Sequence, residues 1–366
     1  GETTDLVPKE ELLEEGIETK KNVLKDKKNI QILIIIIIVV GLFSIYKFLY
    51  SKYNTRIILE QYCNYLVNKD YENAYKMLYN TDNDFMSEEM FEKSLKDVDF
   101  SGYSIKEYSK RDNKDEKIEI NDTTYEIQVN GFTYIAEVSP KGSKNPILKD
   151  YKINAKNLAI KDWNFTVPKG TEIFVNDKKV NGIIETSIDT SHVPVEFSIK
   201  YEPESETYKI GGMFKGKCNI TFKLDSTEDI VKNDVQAGYQ ISKVSLNFKQ
   251  KKELTEELTN QTKKFLEAYY NKTDMTDLII SNSDIIEKVR AQENLYNSTG
   301  KSINMKDDIV LQNTAIDDNA HASICFMFTE NYTSTYYNGS RTVSKVKTIY
   351  FKKENHKWLV CTTNLF

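Results

Sequence analysis

The chain has 366 residues and a mass of 42.5 kDa, with 50 Lys+Arg against 55 Asp+Glu and a net charge of −5. That length suits two or three domains, and a balance this even argues against general nucleic-acid binding. Only four basic residues are arginine (Arg56, Arg111, Arg290, Arg341), so bidentate anion clamps are not broadly written into the chain. Three histidines (His192, His321, His356) and four separated cysteines (Cys63, Cys218, Cys325, Cys361) exclude a His-rich or Cys-rich metal cluster.

Residues 29–46, NIQILIIIIIVVGLFSIY, carry no charge, and the apolar character runs on to Tyr50 past Lys47. A membrane-crossing helix needs about 20 apolar residues, and in lipid a helix is how one segment pairs all its own backbone groups. We therefore expect a transmembrane helix over 29–50. Five lysines on its N-terminal flank (Lys20, Lys21, Lys25, Lys27, Lys28) face three basic residues beyond it (Lys47, Lys52, Arg56), which places the N-terminus in the cytoplasm. No small-residue cleavage site follows, so the span reads as an uncleaved anchor with about 316 residues outside. The chain begins at Gly1 and its first methionine is Met77, from which we expect a truncated or processed product. Residues 1–28 read as a charged cytoplasmic tail that could form a helix but is expected to be solvated.

Beyond the anchor, three modules are expected. In 57–78 the apolar residues Ile58, Tyr62, Tyr65 and Leu66, then Tyr71, Ala74, Tyr75 and Leu78, follow a helical period broken at Asn68-Lys69-Asp70. A third helix is predicted over 87–95 with Ser87 as its N-cap. Residues 124–138 alternate around Asn130-Gly131, a hairpin signal. These make an α+β module over 51–161. From 162 to 250 short apolar runs lie between Gly, Pro and charged turns, with no helical pattern, which predicts a small β-sandwich. VPVEFSIKY is among its expected strands. In the third module, 251–366, Leu254, Leu258, Phe265, Leu266 and Tyr269 share one helical face. A second helix is predicted over 283–293 with Ser283 as N-cap. Strands follow from Asp308, with a turn at Asn338-Gly339. Within HASICFMF, Ala322, Ile324, Phe326 and Phe328 should face one way and His321, Ser323, Cys325 and Met327 the other. Cys325 and Cys361 lie in predicted strands, as a bridge or as two buried thiols. Eight N-x-[ST] sequons (Asn121, Asn164, Asn219, Asn260, Asn271, Asn297, Asn331, Asn338) fit an Asn- and Thr-rich composition and carry no assignment.

Helices followed by a bent antiparallel sheet ending in HKWLVCTTNL resemble the NTF2-like cone fold, and NKDYENAYKML at the start of the first module is similar to the same class. PKGTEIFVNDKKV followed by YKIGGMFKGKCNITFKL resembles the Ig-like repeats of the TcaA/YvbJ envelope proteins of Gram-positive bacteria. The resemblance implies one cytoplasmic tail, one span, an NTF2-like module, an Ig-like module and a second NTF2-like module, in a cell-envelope role associated with cell-wall antibiotics. That family usually starts with a zinc ribbon, whereas residues 1–28 hold no cysteine.

Catalytic signatures in the sequence are incomplete. Gly300-Lys301-Ser302 ends like a phosphate-binding loop, but Leu295 stands where its first glycine belongs. Ser298/Lys301 and Ser344/Lys347 match S-x-x-K without the companion S-D-N and K-T-G. His321 could line a cavity near Cys325 and Met327, but we expect a surface histidine at a strand start. His356 and His192 are expected in exposed loops. Tyr332, Tyr336, Tyr337 and Tyr350 should crowd one hairpin region, as a sugar- or peptide-binding surface or simply as strand formers. The expectation is a protein without catalytic residues, cofactor or metal, its ligand-binding residues undefined. Its partners would be membrane lipid through the span and a wall component, wall-active compound or envelope protein. A conjugative type IV secretion scaffold is the alternative, and an NTF2-like enzyme using His321 the third reading.

Overall fold

The computed structural model describes residues 9–108, 123–141, 150–198, 200–336 and 339–366. The chain is mixed α+β with strands in the majority, and it divides into two compact units, 1–79 with 100–154 and 80–99 with 155–366.

In the first unit, α1 (Lys9–Tyr53) is one helix of 45 residues, which corrects the expectation of a solvated tail: a helix already nucleated in the apolar run extends back to Lys9 at little cost per residue. Its part Lys27–Tyr50 has a mean hydropathy of 2.8 and is wholly unburied. At 1.5 Å per residue its 24 residues span about 36 Å, more than the roughly 30 Å of bilayer hydrocarbon. Helix α2 (Thr55–Val67) starts where the Asn54 side chain accepts from the amides of Arg56 and Ile57. It buries Ile58, Leu59, Tyr62, Cys63 and Leu66. Asp70 caps α3 (Tyr71–Lys76). The strands β1 (Leu78–Tyr79), β2 (Ser104–Glu107), β3 (Thr124–Val129), β4 (Phe132–Lys141) and β5 (Asp150–Asn154) form one sheet in the order β1-β5-β4-β3-β2. The predicted hairpin forms as expected: Val129 pairs with Phe132 across Asn130-Gly131, and Gly131 has φ +78°. Ile127, Ala136, Val138 and Ile153 are buried in the same unit, and Thr55 Oγ1 meets Tyr125 OH at 2.6 Å.

The second unit opens with α4 (Glu88–Leu95), capped by Ser87 as expected. Its partners are not those expected. The helix packs with the middle strands, Phe91 edge-on to Phe214 at 5.0 Å and Lys93 Nζ donating to Asn176 O at 3.2 Å. A Cβ at Gly216 would lie 2.2 Å from Ser94 O, so that glycine sets how closely the helix end approaches. The strands β6 (Ala159–Ile160), β7 (Trp163–Pro168), β8 (Glu172–Val175), β9 (Lys178–Lys179) and β10 (Ile183–Ile188) come next, then β11 (Glu204–Ile210), β12 (Met213–Phe214), β13 (Lys217–Lys223) and β14 (Ile230–Gln236). Two antiparallel sheets, β10-β11-β7 and β14-β13-β8-β9, share a core of Trp163, Phe165, Val167, Ile173, Val175, Ile220 and Phe222. Between β10 and β11 the expected strand through VPVEF is instead the helical turn α5 (Val195–Ser198). Pro194 supplies the fixed φ of a helix start, and Phe197 and Tyr201, four apart, are buried together.

Helix α6 (Lys252–Asn271) buries the face expected of it, Leu254, Leu258, Phe265, Leu266 and Tyr269. Helix α7 (Ile285–Ser298) begins two residues after Ser283, whose hydroxyl accepts from Ile285 N at 3.2 Å. The last sheet contains β15 (Lys301–Met305), β16 (Val310–Asp318), β17 (His321–Ser334), β18 (Gly339–Glu354) and β19 (Lys357–Thr363), ordered β15-β17-β18-β19 with β16 also on β17. Ala322, Ile324, Phe326 and Phe328 enter one core with α6 and Trp358, as their alternation requires. Each large side chain buried there contributes about 1.5–3 kcal/mol.

Candidate functional site

The segment between β10 and β11 leaves the middle sheets and lies on the last one. Val193, Phe197 and Tyr201 bury against Ile280 and Cys361, with Tyr350 and Leu359 around them. This is the outward face of β17, which the sequence left open to solvent. His321 is therefore not a surface residue, a correction to the expectation: it is 6% exposed, with Tyr201 edge-on to its ring at 5.1 Å. Its Nδ1 lies 2.9 Å from both oxygens of Asp318, which is 1% exposed. Asp318 also accepts from the amides of Glu204 and Ala320, each at 2.7 Å. A carboxylate with this many donors is a satisfied buried anion. An acid–base pair exists at His321, but it is closed inside the packing and fastens β11 to the start of β17.

Asp317 faces the other way. Its Oδ1 takes His192 Nε2 at 2.8 Å and its Oδ2 accepts from Tyr201 OH at 2.6 Å. His192, expected in an exposed loop, is 44% exposed by side chain but tied to this acid. The hydrogen bond that His192 donates to Asp317 raises the imidazole pKa above the ordinary value, against the opposing pull of burial. Burial, with Asp317 adding to it, lifts the Tyr201 phenol well above its usual range.

His192 and Asp317 line a cleft of about 850 Å³ in the second unit. One side is β16 from Asn313 to Asp317; another is the stretch from Leu246 to Gln250; Asp189, Ser191 and Lys243 close an end. Lys243 and Asp189 pair at 2.8 Å. Burial opposes ionisation of Asp189, yet hydrogen bonds from Lys243 and Ser191 hold its carboxyl below the usual range. Asp189 and Lys243 thus balance each other, exposed Lys249 adds a further ammonium, and the rest of the lining is mainly amides, hydroxyls and apolar groups such as Phe248 and Ile316.

A further buried acid sits farther along β17. Glu330, 2% exposed, accepts from Tyr270 OH at 3.0 Å and is ion-paired with Lys345, whose Nζ lies 5.0 Å from the Tyr332 ring. Burial and Glu330 together push the Tyr270 phenol up. Of the four tyrosines expected in one region, the three described ones do not gather. Tyr332 sits in this network and Tyr336 is 71% exposed. Tyr337 lies outside the described residues. Tyr350 packs its ring at a tilt against Phe197 and Tyr201 at the far end of β18. Arg341 is the partner of Tyr332, so nine residues of strand put Tyr350 about 30 Å away.

Gly300 leads straight into β15, so Lys301 and Ser302 lie on a strand and not in a phosphate-cradling loop. All four cysteines are free, and burial pushes the thiols of Cys63, Cys218 and Cys361 up to about 12. They are not poised nucleophiles at neutral pH. Among the described residues no three His, Cys, Asp or Glu side chains gather to hold a metal. Sequence reasoning singled out His321 and passed over Asp317, Asp318 and Tyr201. The adjacent pair Asp317-Asp318 at a strand end was the available signal.

No family profile matches the sequence, and no curated protein sequence matches it. Solved structures do resemble parts of it. The intermembrane space region of the chloroplast protein ARC6 is 8% identical, over 32% of this chain and 96% of its own, with a TM-score of 0.25. An NTF2-like protein of unknown function from Shewanella oneidensis MR-1 is 13% identical over 30% and 96%, with a TM-score of 0.22. An NTF2-like protein involved in plasmid conjugation is 13% identical over 67% of this chain and 71% of its own, also with a TM-score of 0.22.

Proposed function

We propose that this is a membrane-anchored, non-enzymatic cell-envelope protein. Its N-terminus is cytoplasmic, and residues 51–366 stand outside and bind a wall component, a wall-active compound or a partner protein. The observation that carries this reading is Lys27–Tyr50, an apolar helix with none of its residues buried. An unburied surface of that length and hydropathy finds its partner in hydrocarbon. The lysine bias across the span sets the orientation. Within the TcaA/YvbJ resemblance, 51–161 and 251–366 are NTF2-like modules and 162–250 is Ig-like. Contact in place of catalysis fits the acid–base groups: Asp318 and His321 are sealed, and Asp317 already holds a partner on each oxygen, His192 and Tyr201.

The experiment is co-sedimentation of the full chain, in detergent micelles, with purified cell wall, alongside affinity purification from cross-linked membranes. Retention on wall material, or a wall enzyme in the purified complex, is the expected result. Neither one appearing removes the binding role. A secretion ATPase in the complex would move the protein to a conjugative scaffold, and turnover lost in His192→Ala would make it an enzyme.

A further inference from the structure

The cleft presents one feature in particular, the outer edge of β16. The strand is paired on one side only, to β17, from Val310 opposite Met327 to Asp318 opposite His321. No strand among the described residues pairs with its other side. An open edge holds out amide and carbonyl groups that need partners.

Here side-chain amides supply them. With the Gln250 amide turned so that both its ends are satisfied, its nitrogen donates to Thr314 O and its oxygen accepts from Ile316 N, each at 3.2 Å. Toward the start of the strand, Gln312 Nε2 donates to Val310 O at 3.4 Å. A carboxamide is a peptide group carried on a side chain. The carbonyl of one residue and the amide two residues on are the groups that a residue of a parallel neighbouring strand bridges. Gln250 therefore occupies the seat of a main chain. It does so across a cleft with β16 on one side and its own segment, from Leu246, on the other. A neighbouring strand would lie about 4.8 Å from β16.

We propose that the outer edge of β16 is a strand-addition site for an extended peptide, plugged in the free protein by the amides of Gln250 and Gln312. The inference rests on the binding role proposed above and gives it a ligand class. Main-chain hydrogen bonds carry the affinity. Val310 and Leu311, 53% and 40% exposed, offer apolar contacts at the start of the strand. Lys243 with Asp189 and His192 with Asp317 are balanced pairs, and exposed Lys249 adds one ammonium to the lining, so neutral or acidic side chains suit the cleft better than basic ones.

The probe is a dye-labelled, end-blocked hexapeptide of alternating valine and threonine, titrated by fluorescence anisotropy against the full chain in micelles. Its partner is the same peptide N-methylated at alternate amides, in both phases. Saturable binding of the parent, lost in at least one N-methylated form, is expected. Gln250→Ala should bind the parent about five- to tenfold more tightly, since the plug no longer competes. Ile316→Pro deletes an outward amide, and an edge strand tolerates proline there; it should abolish binding with the far-UV spectrum unchanged. Should that variant not fold, the N-methylated peptides decide alone. Equal binding of parent and both methylated forms, no binding to wild type or Gln250→Ala, or weaker binding to Gln250→Ala each overturns the proposal. So does a Gln250→Ala chain that pairs with its own copy in place of the peptide. Micelle binding is independent of membrane orientation, so a failed topology assignment and a failed peptide site are told apart.

Discussion

Asp317 and Asp318 are sequence neighbours in different surroundings. Asp318 is 1% exposed and surrounded by donors, among them His321 Nδ1 and two backbone amides. Asp317 has His192 on one oxygen and Tyr201 on the other, and its partner His192 reaches the cleft. A register shift between Ile316 and Asp318 in the pairing of β16 with β17 interrupts the ordinary alternation there. Each acid belongs to a His–Asp pair, but only one pair can meet solvent. The contrast teaches that such a pair in a fold of this kind is first a fastening, and that exposure decides whether it can also meet a ligand.

The largest effect should come from the sealed side. Asp318→Ala removes the acceptor of three donors and leaves buried groups unpaired, a loss of about 3–5 kcal/mol. Chemical denaturation should show it, with a midpoint within error of wild type as the contradicting result. Gly216→Ala comes next. Its new Cβ would overlap Ser94 O at 2.2 Å, so α4 must shift, and we expect about 1–3 kcal/mol. If proteolysis within 80–99 does not increase, the docking of α4 with the middle strands is not what that glycine serves. Tyr201→Phe keeps the ring against His321 but deletes one hydrogen bond to a carboxylate, which should cost about 1.5–3 kcal/mol.

The open side should give the smallest effect and the clearest pH signature. The folded pKa of His192 is raised above its unfolded value of about 6.5. Its contribution is therefore fully present below the unfolded value and is lost as pH rises through the folded one. Because the imidazole is 44% exposed, the effect is small. His192→Ala should flatten the decline of stability above pH 6.5. An unchanged slope would assign that decline to another group.

Much of the fold was legible because its signals are local. Residues 29–50 carry a single charge, Lys47, and the structure extends that span only to Lys27. Asn130-Gly131 names its own turn, and the face of α6 follows from periodicity alone. What stayed hidden depends on contacts between distant residues. His321 looks exposed in its own strand because its cover, Tyr201, comes from 120 residues earlier. Helix α4 was placed with the helices preceding it, and nothing in EEMFEKSL reveals that Phe91 meets Phe214. Tyr332 and Tyr350 seem adjacent in composition, yet a 16-residue strand separates their surroundings. The cleft was invisible for the same reason, since its sides come from the 246–250 stretch and from a strand more than 60 residues later.

The central claim is that the exposed apolar helix crosses a membrane and sets the folded remainder on its outer side. A tag placed after Phe366 tests it directly, by adding protease to intact cells and then to lysed ones. Cleavage of the tag in intact cells, with the chain found in the membrane fraction, is the expected result. A tag protected until lysis, or a chain recovered without the membrane, would contradict it.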